Sequence, residues 1–98
     1  MKREIFNKYA QHTARLYECD TNDLFIKSKK RWRVDARHLL YYMCHVRPMR
    51  IAEIQEYMRL RGYSISHSSI IHGIDRIKER MGSDVDVSRV VREMTKDV

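Results

Sequence analysis

A chain of 98 residues has room for one modest core, not for a catalytic domain beside a binding domain. Apolar residues make up 43% of it, with three glycines and one proline, which excludes a disordered tail and suits a compact helical protein. The formal net charge of +7 is carried by residues 27–61, which hold ten Lys or Arg against three acids, while the rest of the chain balances ten against ten. A localised excess of this kind points to a polyanion, nucleic acid ahead of an acidic membrane or protein surface.

No stretch approaches twenty apolar residues, and the start "MKREIFNKYAQHT" lacks the long apolar run of a signal peptide. The expectation is a soluble protein of the cytoplasm, in a prokaryotic or virus-infected cell. Cys19 and Cys44 are too few and too far apart for a disulfide scaffold, and each is expected to be a small buried apolar residue.

In chain order, "REIFNKYAQHTARLY" puts Ile5, Phe6, Tyr9, Thr13, Leu16 and Tyr17 on one side at helical spacing. Asp20 or Thr21 can cap a short second helix through Leu24 and Phe25. The run "KSKKRWR", residues 27–33, has no apolar period and is expected to be an exposed loop. A third helix from about Val34 to Val46 turns Ala36, Leu39, Leu40, Met43 and Cys44 inward, and Pro48 ends it. A fourth, from about Arg50 to Arg61, uses Ile51, Ile54, Met58 and Leu60, and Gly62 supplies the left-handed residue that stops it. After the turn "GYSI" a fifth helix starts near Ser66 and runs to about Met81, with Ile70, Ile71, Ile74 and Ile77 as its stripe. A sixth over about 86–97 turns Val87, Val90, Val91 and Met94 inward.

Two helices joined by a short glycine-containing turn, the second opening on polar side chains, form the helix-turn-helix pattern. Many helical hairpins share it, so the basic run before it matters. Ser66 suits the N-cap, which leaves Ser68 and Ser69 to face outward, near helix-start amides that favour an anion. His67 lies at the edge of the apolar stripe, where core packing and contact with DNA are both open. His72 shares the side of Ser68 and Ser69, with the same two readings. Gly73 costs about 1 kcal/mol in a helix interior, which a close helix crossing would explain. The run 27–33 is either a solvated loop or a phosphate clamp and minor-groove arm, with Lys27, Lys29, Lys30, Arg31 and Arg33 as the contacts and Trp32 as an anchor to the core ahead of stacking on sugar. Arg47, Arg50, Arg59 and Arg61 are generic candidates for phosphate neutralisation. A metal site finds no support, since His67 and His72 stand five residues apart rather than three or four. No paired carboxylates, nucleophile elbow or phosphate-binding glycine loop appears, so neither catalysis nor a cofactor is expected.

Three stretches and the closing helix resemble a known family. "LYECDTNDLF" looks like a Tyr-Gly-Val-Ser-Val-Glu-Asp-Leu segment, with Tyr17, Asp23 and Leu24 matching. In "KSKKRWRVDARHLLYYM" Ala36 and Arg37 match an Ala-Arg pair at the same distance from the leucine. "HSSIIHGIDRI" is similar to the signature His-Thr-Thr-Val-Leu-His-Ala-x-x-x-Ile, with His67, His72 and Ile77 identical and serines in place of threonines. The family is the C-terminal DNA-binding domain (domain IV) of the bacterial replication initiator DnaA, whose fold is close to that of Trp repressor. The resemblance implies a single all-α domain over residues 1–98, with its helix-turn-helix at about 50–81. It implies duplex DNA as partner, base or phosphate contacts from Ser66, His67, Ser68, Ser69 and His72, and a base or phosphate contact from Arg37. The family's minor-groove arginine falls on Lys29, with Arg31 or Arg33 as substitutes. Departures are Ser64-Ile65-Ser66 where the family has Gly-Arg-Asp, about four extra residues between Ile54 and His67, and nothing like the ATPase module.

The expected protein therefore binds duplex DNA by occupancy, as a replication or transcription regulator, with no membrane and no small-molecule substrate. The alternative is an interaction module for an acidic surface of a replication protein.

Overall fold

A computed structural model describes residues 2–96. It contains α1 (Lys2–Leu16), a 3-10 turn (Thr21–Phe25), α2 (Arg31–Val46), α3 (Ile51–Leu60), α4 (His67–Ser83) and α5 (Val85–Lys96). Among the described residues there is no strand. The all-helical class expected from the sequence is what the chain adopts, within 33 × 30 × 26 Å.

The apolar stripes explain the packing. α2 is the central helix: Ala36, Leu39, Leu40, Tyr41, Met43 and Cys44 are all buried. α1 covers it with Phe6, Tyr9, Ala10 and Ala14, and α4 covers it with Ile70, Ile74 and Ile77. Thr13 is fully buried yet satisfied, because its hydroxyl donates to the Tyr9 carbonyl at 2.8 Å. Burial alone pushes the Cys44 thiol pKa up, so this sulfur behaves as an apolar filler.

Chain punctuation follows local chemistry. The Asp20 amide donates to Asp23 Oδ2 at 3.2 Å, which starts the 3-10 turn. Gly62, at φ +84°, ends α3 in the left-handed region, as expected of a glycine after the last apolar position. Asp84 ends α4 and caps α5, its carboxylate accepting from the Asp86 and Val87 amides at 2.9 and 3.3 Å.

Several boundaries and faces differ from expectation. α2 begins at Arg31, so the last three residues of the run 27–33 are helix and the true loop is Ile26–Lys30. Charge density did not forbid this, since Arg and Trp are acceptable helix residues and Asp35 sits one turn beyond Arg31, at 4.0 Å. α4 continues to Ser83, and α5 starts at Val85, while the expected end at residue 97 falls outside the described residues. Leu16, Leu60 and Ile71, all expected to face inward, are about half exposed.

The crossing of α2 and α4 is close enough to require Gly73. A Cβ there would lie 2.7 Å from His38 Cδ2 and 3.0 Å from Tyr41 Cδ2. Tyr41 is buried and cannot swing away, so added bulk must part the helices. Gly73→Leu is expected to destabilise by about 1–3 kcal/mol despite leucine's better helix propensity. Thermal melting of the variant checks this, and a raised melting temperature would refute the tight crossing.

Candidate nucleic-acid interface

α3 and α4 are joined by a turn whose four central residues are Gly62, Tyr63, Ser64 and Ile65. Gln55 of α3 donates to the Ile65 carbonyl at 2.8 Å, which fixes the turn against its own helix. At the start of α4, Ser66 is the N-cap: its hydroxyl accepts from the Ser69 amide at 3.2 Å. The same hydroxyl donates to Ser69 Oγ at 3.0 Å. Ser69 is thus committed to the cap in part, although it is exposed as expected.

His67 is exposed, so the core-packing alternative for it does not hold. Ser68 and His72 are exposed too, and the side chains of His67 and Ser68 are not drawn into the cap bonds between Ser66 and Ser69. His72 meets His38 of α2 edge to face, with ring centroids 5.9 Å apart.

The loop Ile26–Lys30 lies beside this turn, and cations join the two. Lys27 Nζ donates to the Ser64 carbonyl at 2.8 Å and lies 4.6 Å from the centre of the Tyr63 ring. Arg37 reaches the same ring at 4.8 Å, while its guanidinium donates to the carbonyls of Leu24 and Ile26 at 3.2 Å and of Ser28 at 2.8 Å. Tyr63 is therefore shared by two cations, and the loop is laced to the helix-turn-helix segment through it. The Lys30 amide donates to Ser28 Oγ at 3.2 Å, a further tie within the loop.

Between loop and turn runs a groove of about 800 Å³. Of the expected contacts, Lys27, Lys29, Arg37, Ser66, Ser68, Ser69 and His72 line it. Lys30, Arg31, Arg33 and His67 do not, although Lys30, Arg31 and His67 are exposed. Trp32 is half-buried and lines a separate cleft with Tyr17 and Asp23 at the end of α1, but it is not among the side chains packed against the core, as the expected anchor would be.

Two expected contacts require correction. Arg37 is only 4% exposed and spends its donors on three backbone carbonyls, so it builds the loop instead of reaching out to DNA. Arg33 has an 18% exposed side chain turned toward Asp23 at 3.9 Å and toward the Trp32 ring at 5.0 Å, away from the groove. Arg33 became part of the helix because α2 begins earlier than the charge run suggested. Among the generic arginines, Arg61 is held by Asn7 and Asn22 at 3.2 Å, and Arg59 pairs with Glu56 at 2.7 Å.

Reading the sequence missed Tyr63, His38 and Gln55. Tyr63 carried the only available signal, an aromatic immediately after the left-handed glycine in an otherwise small, polar turn.

No group of three or more metal-ligating side chains gathers among the described residues. No helix among them is long and apolar enough to cross a membrane. What the geometry defines is a cationic loop and a capped helix start on one face of an all-helical chain.

The chain is 37% identical over 62 residues to the chromosomal replication initiator protein DnaA of Leptospira biflexa serovar Patoc, in both the Ames and the Paris strains. The match covers 63% of this chain but 13% of the relative, so the chain corresponds to a small part of the initiator's length. No protein-family model matches the chain.

Proposed function

We propose that the chain is one Trp repressor-like, DnaA domain IV-like domain that binds duplex DNA sequence-specifically. In this reading the start of α4 enters the major groove, and the loop follows the backbone into the adjacent minor groove. The observation that carries it is the lacing of Lys27 and Arg37 to the α3–α4 turn, because it sets a cationic loop beside the exposed His67 and Ser68 at a helix start. Lys29, Lys30 and Arg31 are the phosphate contacts, and the likeness to a replication initiator supports DNA as the polyanion. The protein acts by occupancy, marking or blocking a site in replication or transcription, with no catalytic step. Binding to an acidic surface of a replication protein is the competing outcome.

Selection of bound duplexes from a random pool tests the reading, since a protein-interaction module enriches no sequence. Base contacts discriminate, whereas phosphate contacts do not. His67→Ala and Ser68→Ala are therefore expected to fold normally and bind random duplex nearly as before. Each should lose about 1–3 kcal/mol of preference for the selected site, the worth of a good base contact. The specific-to-random affinity ratio is the measurement, and an unchanged ratio in both variants would move the recognition edge elsewhere.

A further inference from the structure

The groove holds one feature that duplex binding alone does not call for. His38 of α2 and His72 of α4 meet edge to face at 5.9 Å, and both line the groove together with Lys27 and Lys29. We propose that His38, paired edge to face with His72 at the groove, takes up a proton when a duplex phosphate fills the groove, so that DNA affinity rises as pH falls. The inference rests on the DNA-binding reading above.

The charges around the pair set the direction. From its own helix His38 faces Asp35 and Arg37, and from α4 it faces His72 and Arg76. Lys27 and Lys29 stand on the groove's loop side, and the Tyr41 ring lies 6.5 Å away. One helical turn beyond His72 come Asp75 and Arg76, of opposite sign. Cations outnumber carboxylates here, so a positive imidazole at His38 is unwelcome while the groove is empty. Burial first, and His72 next, hold the His38 pKa below the usual histidine value. A phosphate at the groove reverses this balance, because an imidazolium facing an anion gains a charge-assisted hydrogen bond.

The sign follows from linkage. If the complex binds the proton more tightly than the free protein, affinity gains nothing at high pH, where neither is protonated. It grows as pH falls through the raised value in the complex, and levels off below the depressed value of the free protein. In the free protein the same depression works against the fold: stability is lost as pH falls below the unfolded histidine value of about 6.5.

The test measures duplex affinity at fixed ionic strength between about pH 8 and 6, the range in which histidine titrates. Titration calorimetry in two buffers of different ionisation enthalpy counts the protons. The expected result is net proton uptake on binding, with affinity rising toward about tenfold per pH unit, the limit for one proton per complex. His38→Gln removes the titration while keeping a polar side chain, and is expected to lower the uptake. His72→Gln changes an exposed residue, does not threaten the fold and should lower it also. Salt-dependent binding without proton uptake overturns the inference and leaves the DNA reading standing. Uptake that persists unchanged in both variants also overturns it, since the protons then enter at another histidine. Absence of duplex binding at every pH, even at low salt, overturns the DNA reading and this inference together.

Discussion

Arg37→Ala is expected to cost the protein about 3–5 kcal/mol, the largest effect of any substitution near the groove. The variant deletes a guanidinium that satisfies three backbone carbonyls, those of Leu24, Ile26 and Ser28. The carbonyl of Leu24 is buried and has no route to water without local opening, and each stranded acceptor costs about 1–3 kcal/mol. Loss of the cation over Tyr63 adds a smaller amount. In a chain of this size such a change lowers the melting temperature by more than about 10 °C. Arg37→Lys retains the charge but not the planar fork that reaches three carbonyls, so it is expected to recover little of the stability. If Arg37→Ala melted like the wild type and lost only DNA affinity, Arg37 would be a direct contact with DNA and not the residue that builds the loop.

The fold was legible where side-chain periodicity reports on burial. The stripe Ala36, Leu39, Leu40, Met43 and Cys44 is buried throughout, as are Ile54 and Met58, and Gly62 has its left-handed backbone. Gly73 announced a close crossing, because a mid-helix glycine needs a reason. Legibility ended where charged residues serve the interior. Arg31, Trp32 and Arg33 lack an apolar period, yet they form the first turn of α2, and that shift turns Arg33 toward Asp23. Sequence spacing cannot distinguish an arginine that reaches a phosphate from one that reaches backbone carbonyls, since both uses need the same donors. The Tyr63 clasp was hidden for a related reason: it joins the loop to a turn some 35 residues away, and no local pattern encodes such a pairing.

The site was legible in part. The Ser66 cap and the exposure of His67, Ser68 and His72 agree with a helix that opens on polar residues and buries Ile70, Ile74 and Ile77, though not Ile71. The partial commitment of Ser69 to Ser66 could not be foreseen, since it depends on rotamers within the cap.

The face that carries these residues makes a quantitative demand on salt. Lys29, Lys30 and Arg31 are exposed at the loop and the start of α2, and the one ion pair among them, Arg31 with Asp35, is long at 4.0 Å. A pair that open to solvent is worth little, so it does not withhold Arg31 from a phosphate. Each phosphate neutralised by such a side chain releases counterions and contributes about 0.9 to the slope of log affinity against log salt. Replacing all three by alanine touches none of the ties made by Lys27 or Arg37, so the loop should keep its place. The decisive measurement is the salt dependence of affinity for random duplex DNA in the wild type and in the Lys29→Ala, Lys30→Ala, Arg31→Ala triple variant. The predicted result is a steep wild-type slope that falls by about 2.7 in the variant, with the melting temperature nearly unchanged. An identical slope in the two proteins would contradict the account, for it would mean that the loop does not lie on the duplex.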